Sequence, residues 1–168
     1  MTWLMNQEDI DNIIKVVLAT DGNIAEVGVY KGDMAEEICK MKGDRHLYLF
    51  DTWEGLPEKC QLGDLLLKAD IEEIKQRLKK YPNVHFIKGI FPETTNMVDD
   101  KKFSVVHLDC DLYNGTKGGL EFFYPRSEYI FIHDYPSYEG VRKAVDEFLK
   151  EKNIKGEQTT TIQLCLKK

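Results

Sequence analysis

Glu26-Val27-Gly28-Val29-Tyr30-Lys31-Gly32 and Val105-Val106-His107-Leu108-Asp109-Cys110-Asp111-Leu112-Tyr113 are the two stretches that decide how this chain folds. In the first, an apolar run breaks into a glycine-punctuated turn and a helix opens at Asp33, which is how α/β proteins shape a pocket for a nucleotide-like ligand. The second is a β-branched run that turns abruptly acidic. In an open parallel sheet, ligands sit outside the carboxyl ends of the strands, so acids at those ends face the ligand and not the core. The two stretches are therefore expected to meet along one rim.

Outward from these stretches, apolar periodicity alternates between strand and helix. Asn6 reads as the N-cap of an amphipathic helix with Asp9 in its first turn and Ile10, Ile13, Ile14 and Val17 as its apolar stripe. Strands are expected at residues 24–29, 46–51, 84–88, 103–108, 129–133 and 160–166. Helices are expected at 33–41, with Met34, Ile38 and Met41 inward, around Ile71, Ile74 and Leu78, at 113–124, and along Val141, Val145, Phe148 and Leu149. Gly115, Gly118 and Gly119 weaken the helix at 113–124, because glycine costs about 1 kcal/mol there relative to alanine. Right-handed crossovers then predict a mainly parallel sheet between helix layers. Residues 153–158 are too few for another crossover helix, so the last strand is expected to enter by a hairpin and run antiparallel.

The chain has 168 residues and a formal net charge of -6. That length predicts one domain over residues 1–168, with an N-terminal helix within 1–22 and an α/β core from 23. The acidic balance argues against nucleic acid or an anionic membrane as partner, and the basic run at 75–80 shares its helix with Glu72 and Glu73, as a solvated face does. No stretch approaches the roughly 18 apolar residues of a membrane span, and no leader pattern is visible, so the cytoplasm is expected. Cys39, Cys60, Cys110 and Cys165 form no CxxC pair and read as free thiols. Cys110 reads as a small residue filling a tight turn in preference to a nucleophile. The aromatic run Phe122-Phe123-Tyr124 holds more apolar surface than one core face needs, which raises homo-oligomerisation as a further expectation.

Polar strand ends recur at Glu26 to Gly32, Asp51, Gly89, Asp109 and His133-Asp134. Gly28 would let a ligand approach the backbone, Gly32 would let the next helix pack tightly, and Glu26 would accept hydrogen bonds. Asp51, some 20 residues after the glycine turn, stands where an acid holds a ribose diol in such folds. Trp53 has two readings, stacking on adenine or pinning Leu56 and Pro57 to the body. Asp109, Asp111, Asp134 and His133 supply oxygens and an imidazole. Mg²⁺ favours a few carboxylates with retained water, and such an ion makes a coordinated hydroxyl nucleophilic near neutral pH. His133 is then a third ligand or a general base. His107 reads as a satisfied buried histidine, and Asp111 has the alternative of capping the next helix.

These residues carry a resemblance. Glu26-Val-Gly-Val-Tyr-Lys-Gly32, Phe50-Asp-Thr-Trp-Glu-Gly-Leu-Pro57, His85-Phe-Ile-Lys-Gly-Ile-Phe91, His107-Leu-Asp-Cys-Asp-Leu-Tyr113 with Thr116, and Ile132-His-Asp-Tyr135 stand in one order over about residues 24–150. In them the chain resembles the macrocin O-methyltransferase-like family of class I S-adenosylmethionine-dependent methyltransferases. The resemblance implies a Rossmann-like α/β sheet of seven strands with an antiparallel last strand and helices on both faces. It places Glu26, Gly28, Tyr30 and Gly32 at the methionine part of the cofactor and Asp51 at its ribose. Thr52, Trp53, Gly89, Ile90 and Phe91 would flank the adenosine, with Asp109 also against the cofactor.

By the same resemblance Asp109 and Asp134 match positions that hold a divalent metal in relatives, and His133 stands where many carry another aspartate. Asp109, His133 and Asp134 are thus the expected catalytic and metal-binding set. Relatives commonly have extra segments that roof the acceptor pocket, whereas here one short leading helix and an ordinary loop after Pro57 are expected. The implied activity is O-methylation of a small-molecule or sugar hydroxyl. The competing readings are a methyltransferase fold that holds S-adenosylmethionine or S-adenosylhomocysteine without turnover, and a nicotinamide dehydrogenase, which the missing GxGxxG disfavours.

Overall fold

The computed structural model describes residues 5–57 and 67–168. Within them a seven-stranded sheet has the order β3-β2-β1-β4-β5-β7-β6. Its strands are β1 (Asn23–Val27), β2 (Leu47–Asp51), β3 (Val84–Lys88), β4 (Phe103–Leu108), β5 (Ser127–Ile132), β6 (Glu157–Gln158) and β7 (Leu164–Lys167). The first five pair in parallel, whereas β7 runs antiparallel to both β5 and β6. This is the α/β architecture expected of the chain, its final hairpin included.

The helices are α1 (Gln7–Ala19), α2 (Asp33–Met41), α3 (Ile71–Leu78), α4 (Tyr113–Phe123) and α5 (Glu139–Lys152). Alternation along each strand sends one set of side chains to each helix layer. Ile24, Leu47, Leu49, Val105 and Phe131 pack with Ile13, Val17, Ile38 and Ile74 from α1 to α3. Ala25, Val27, Phe50, Val106, Leu108 and Ile130 pack with Leu120, Phe123, Val145 and Phe148 from α4 and α5.

Several expectations shift, each for a local reason. Met41 is exposed, and the row Met34, Ile38 continues instead into Lys42, which caps α2 and is buried. Its ammonium offsets part of the cost of burial by donating to the carbonyls of Gly43, Arg45 and Pro82, although burial still lowers its pKa. The strand expected at 160–166 begins only at Leu164, because the residues before it close the turn between β6 and β7, where Thr160 donates to Asp9 and Gln163 to the Asp9 carbonyl. The glycines of α4 do not break it. Gly115, Gly118 and Gly119 face Cys110, Pro92 and Leu108 so closely that an added Cβ would lie 2.9, 2.6 and 3.0 Å from them. Phe122 and Tyr124 are half-buried, both pack against the core, and Arg126 lies over the Phe122 ring at 4.3 Å. No helix among the described residues is long and apolar enough to cross a membrane.

Candidate active site

The parallel ladder runs one residue beyond each strand, and this gathers the candidate site. Gly28 donates to Phe50 O, Gly89 to Asp51 O, Asp109 to Val27 O and His133 to Leu108 O, all at 2.8 to 3.0 Å. Gly28, Asp51, Gly89, Asp109 and His133 therefore share one rim, as the two opening stretches predict.

Asp51 holds the neighbouring turns. Its Oδ2 accepts from the amides of Val29 and Tyr30 at 2.7 and 2.8 Å, and its Oδ1 from that of Trp53 at 2.6 Å. Packing by itself requires the glycine turn. Gly28 has φ +87, and a Cβ there would lie 1.8 Å from the Asp109 carbonyl oxygen, so the close approach is between the ends of β1 and β4. Gly32 has φ +78, and its Cβ would meet Ile74 and Arg77 at 2.9 and 3.0 Å, consistent with tight seating of α2 against α3.

A cavity of about 950 Å³ opens along this rim. Gly28, Tyr30, Asp51, Thr52, Gly89, Ile90 and Phe91 line it, as do Asp109, His133 and Asp134. Glu26, Gly32 and Trp53 are not among its lining residues. Trp53 is buried in the layer under α1 to α3 with its ring centroid 5.9 Å from that of Phe86, while the apolar lining of Val27, Phe50 and Phe91 belongs to the opposite layer. That placement corrects the adenine-stacking reading. Glu26 lies beneath the rim, its Oε1 3.2 Å from His107 Nδ1, and burial raises its pKa despite that partner. His107 is buried, and among the described residues its Nε2 is left without a hydrogen bond.

At the far end of the cavity, Asp109 Oδ1 and Asp134 Oδ2 lie 3.2 and 3.4 Å from His133 Nδ1. These are ion-pair distances without hydrogen-bond geometry, since both ring nitrogens of His133 are buried and unpartnered. Burial works against a charged imidazole, yet Asp109 and then Asp134 raise the His133 pKa to about 11. Burial would likewise raise Asp109, but the charge of His133 and its proximity hold that carboxyl below its ordinary value. Asp111 is raised to about 9 by burial and by the charges of Asp109 and Asp134. It does not cap α4, whose N-cap is Leu112 with no side-chain bond. Asp111 and Asp134 both hold left-handed backbone, φ 59 and 58, which aspartate tolerates better than most residues and which recurs at functional sites.

The donors present fit a divalent cation. One atom each from Asp109, His133 and Asp134 lies within 4.8 Å of the others. The imidazole nitrogens lack hydrogen-bond partners, and the local excess of carboxylates calls for positive charge.

In the sequence Asp9 reads only as an acid at a helix start. Its side chain is fully buried, and Oδ2 lies 3.5 Å from His133 Nε2. The clue was available: Asp9 precedes Ile13 by four and Val17 by eight, so it sits on the buried stripe of α1 and not beside it. Lys117, Ser137 and Ile162 also line the cavity and have no motif to announce them. The loop expected after Pro57, and Cys60 within it, fall outside the described residues; Leu56, Pro57 and Leu67 on either side of the gap line the cavity.

Residues 5–165 match the family model described as Macrocin-O-methyltransferase (TylF). One similar protein is the 8-demethyl-8-(2,3-dimethoxy-alpha-L-rhamnosyl)-tetracenomycin-C 4'-O-methyltransferase of Streptomyces olivaceus, 25% identical over 88% of this chain and 66% of its own length. Another is the demethyldecarbamoylnovobiocin O-methyltransferase of Streptomyces niveus, 24% identical over 95% of this chain and 71% of its own. The chain thus spans about two thirds of the length of the curated relatives it matches. Among solved structures, the O-methyltransferase NovP superposes with a TM-score of 0.81 at 21% identity, covering 96% of this chain and 79% of that one. The calicheamicin methyltransferase CalS11 gives 0.80 at 18%, covering 94% and 76%. At those identities the likeness shows the shared fold.

Proposed function

The chain belongs to the TylF macrocin-O-methyltransferase family, and from that premise we propose that it transfers the methyl group of S-adenosylmethionine to a hydroxyl of a small molecule or sugar. The observation that carries the reading is that one cavity runs from the glycine turn and Asp51 to Asp109, His133 and Asp134. Its volume lies at the upper end of the range for small-molecule sites, which suits a cofactor and an acceptor side by side.

In the proposed reaction the acceptor oxygen attacks the sulfonium methyl in line. A C–O bond forms as the C–S bond breaks, the electron pair stays on sulfur in S-adenosylhomocysteine, and the acceptor proton leaves to a carboxylate or to water. Gly28, Tyr30 and Asp51 hold the cofactor's polar parts, and Thr52, Ile90 and Phe91 flank its adenosine. Holding both reactants in register can supply several kcal/mol of the barrier without any covalent step on the protein. Asp109, His133 and Asp134 would hold a divalent cation. When bound, such an ion lowers the pKa of a hydroxyl beside it. The same three residues would also orient the acceptor. The free thiols of Cys39, Cys110 and Cys165 support a reducing, cytoplasmic setting.

Calorimetry with S-adenosylhomocysteine, followed by transfer of isotope-labelled methyl to a panel of hydroxylated acceptors with and without chelator, tests the reading. Cofactor binding together with transfer to at least one hydroxyl is expected. Binding without transfer across the panel would overturn the enzyme in favour of a cofactor-holding module.

A further inference from the structure

We propose that Asp9 is the positioning residue that orients His133, so that Nδ1 joins Asp109 and Asp134 as a nitrogen ligand for a first-row transition cation in preference to Mg²⁺. This rests on the metal part of the function proposed above and concerns which ion the site selects and what sets its geometry.

An acid in the first turn of an outer helix normally faces water, where it favours the helix dipole. Asp9 is instead 0% exposed. Three contacts immobilise it: its amide donates to Asn6 Oδ1, its carbonyl accepts from Gln163 Nε2, and its Oδ1 accepts from Thr160 Oγ1 at 2.6 Å. That leaves Oδ2, which is buried, has no hydrogen-bond partner, and faces His133 Nε2 at 3.5 Å. A carboxylate is buried in this way only at considerable cost unless a positive or hydrogen-bonding group compensates it. Among the described residues, His133 is the basic group paired with it.

The imidazole thus stands between two sets of oxygens. Nε2 faces the fixed carboxylate of Asp9, and Nδ1 faces Asp109 and Asp134 at 3.2 and 3.4 Å. A proton on Nε2 directed at Asp9 leaves the Nδ1 lone pair aimed at the two carboxylates, an arrangement that repels unless positive charge lies among the three, either a second proton on Nδ1 or a metal ion that takes its place. A carboxylate behind a ligating histidine fixes the tautomer and makes the ligating nitrogen more basic. Mg²⁺ prefers oxygen and water, whereas imidazole suits Fe²⁺, Ni²⁺ and Zn²⁺ better, and Mn²⁺, though it too favours oxygen, is a first-row ion that accepts a nitrogen ligand. The α1 helix, and the loop of Thr160 and Gln163 docked on it, thereby become the back wall of the site.

Mn²⁺ serves as the probe, because its electron paramagnetic resonance reports both free ion and nitrogen coordination. The whole chain should bind one Mn²⁺ at this site with a ¹⁴N coupling, and more tightly than it binds Mg²⁺ in competition. Asp9→Ala should weaken Mn²⁺ binding roughly 10- to 100-fold and alter the coupling, with S-adenosylhomocysteine affinity retained and folding checked by thermal melting. Asp9→Asn, which can still accept from Nε2, should recover most of the loss. Should Asp9→Ala fail to fold, Thr160→Val, which frees Oδ1 alone, should weaken Mn²⁺ binding in the same direction by a smaller factor. His133→Asp should abolish the ¹⁴N coupling and shift the competition toward Mg²⁺. Mn²⁺ bound with nitrogen coupling but indifferent to Asp9 overturns the positioning role alone. Methyl transfer by a chain that binds no Mn²⁺ and ignores chelators removes the metal from the site, and this inference with it.

Discussion

Replacing Asp51 by alanine tests whether that carboxylate builds the cofactor pocket or merely touches what enters it. The side chain accepts three short hydrogen bonds, from the amides of Val29, Tyr30 and Trp53. Hydrogen bonds to a charged group contribute about 1.5–3 kcal/mol each, but three that share one carboxylate at a cavity rim, where water can replace part of the loss, do not add in full. We expect a loss of about 3 kcal/mol, which for a domain of this size lowers Tm by about 6–12 °C. Asp51→Asn keeps one acceptor oxygen and should fall between wild type and alanine. The assay is urea unfolding followed by far-UV circular dichroism, without cofactor, so that no ligand linkage enters. Titration with S-adenosylhomocysteine on the folded variants should then show affinity weakened by about tenfold or more, since both turns that line the cavity lose their common anchor. An Asp51→Ala protein with the wild-type urea midpoint would refute the role of Asp51 as anchor of the two turns, whatever happened to its cofactor affinity.

Asp109→Ala should lower turnover by about 10²- to 10⁴-fold while S-adenosylhomocysteine affinity changes far less, measured by steady-state kinetics beside calorimetry; the opposite split would reassign the two acids. Gly28→Ala forces a methyl group toward the Asp109 carbonyl at a left-handed φ, and should cost about 3 kcal/mol or more by thermal or urea melts. Glu26→Gln should stabilise the protein at neutral pH. Burial raises the folded pKa of Glu26, so the protonated form is the one folding favours, and that stability is lost as pH climbs from the unfolded value through the folded one. The advantage of Glu26→Gln in urea unfolding should therefore grow from about pH 4.5 upward and level off above the folded pKa; an advantage that shrinks with rising pH would contradict the burial argument.

Much of the fold was legible because its signals were local. The β3 and β4 boundaries and those of α2 fall where the apolar runs and the glycine turn place them, and Asn6 caps α1 as read. Where local signals conflicted with tertiary ones, the tertiary ones prevailed. Glycine-rich α4 forms because its small residues let it seat against Pro92 and Leu108, and residues 160–163 leave the sheet because they close the turn between β6 and β7, with Thr160 and Gln163 bonded to α1. Trp53 looked available for stacking because its neighbours form a loop, but nothing in a loop's composition tells which side of the sheet its side chain will take.

The sequence by itself determined the alternation of strand and helix, the family, and the set of acids and glycines that follow the strands, since these depend on periodicity and on short contiguous patterns. Only the tertiary structure decided which of those residues reach the cavity, that Gly28 makes room for Asp109, and that Asp9 lies behind His133. Those facts depend on pairs such as Gly28 with Asp109 and Asp9 with His133. Distances between such remote positions are set by strand order and helix packing, which no local pattern encodes.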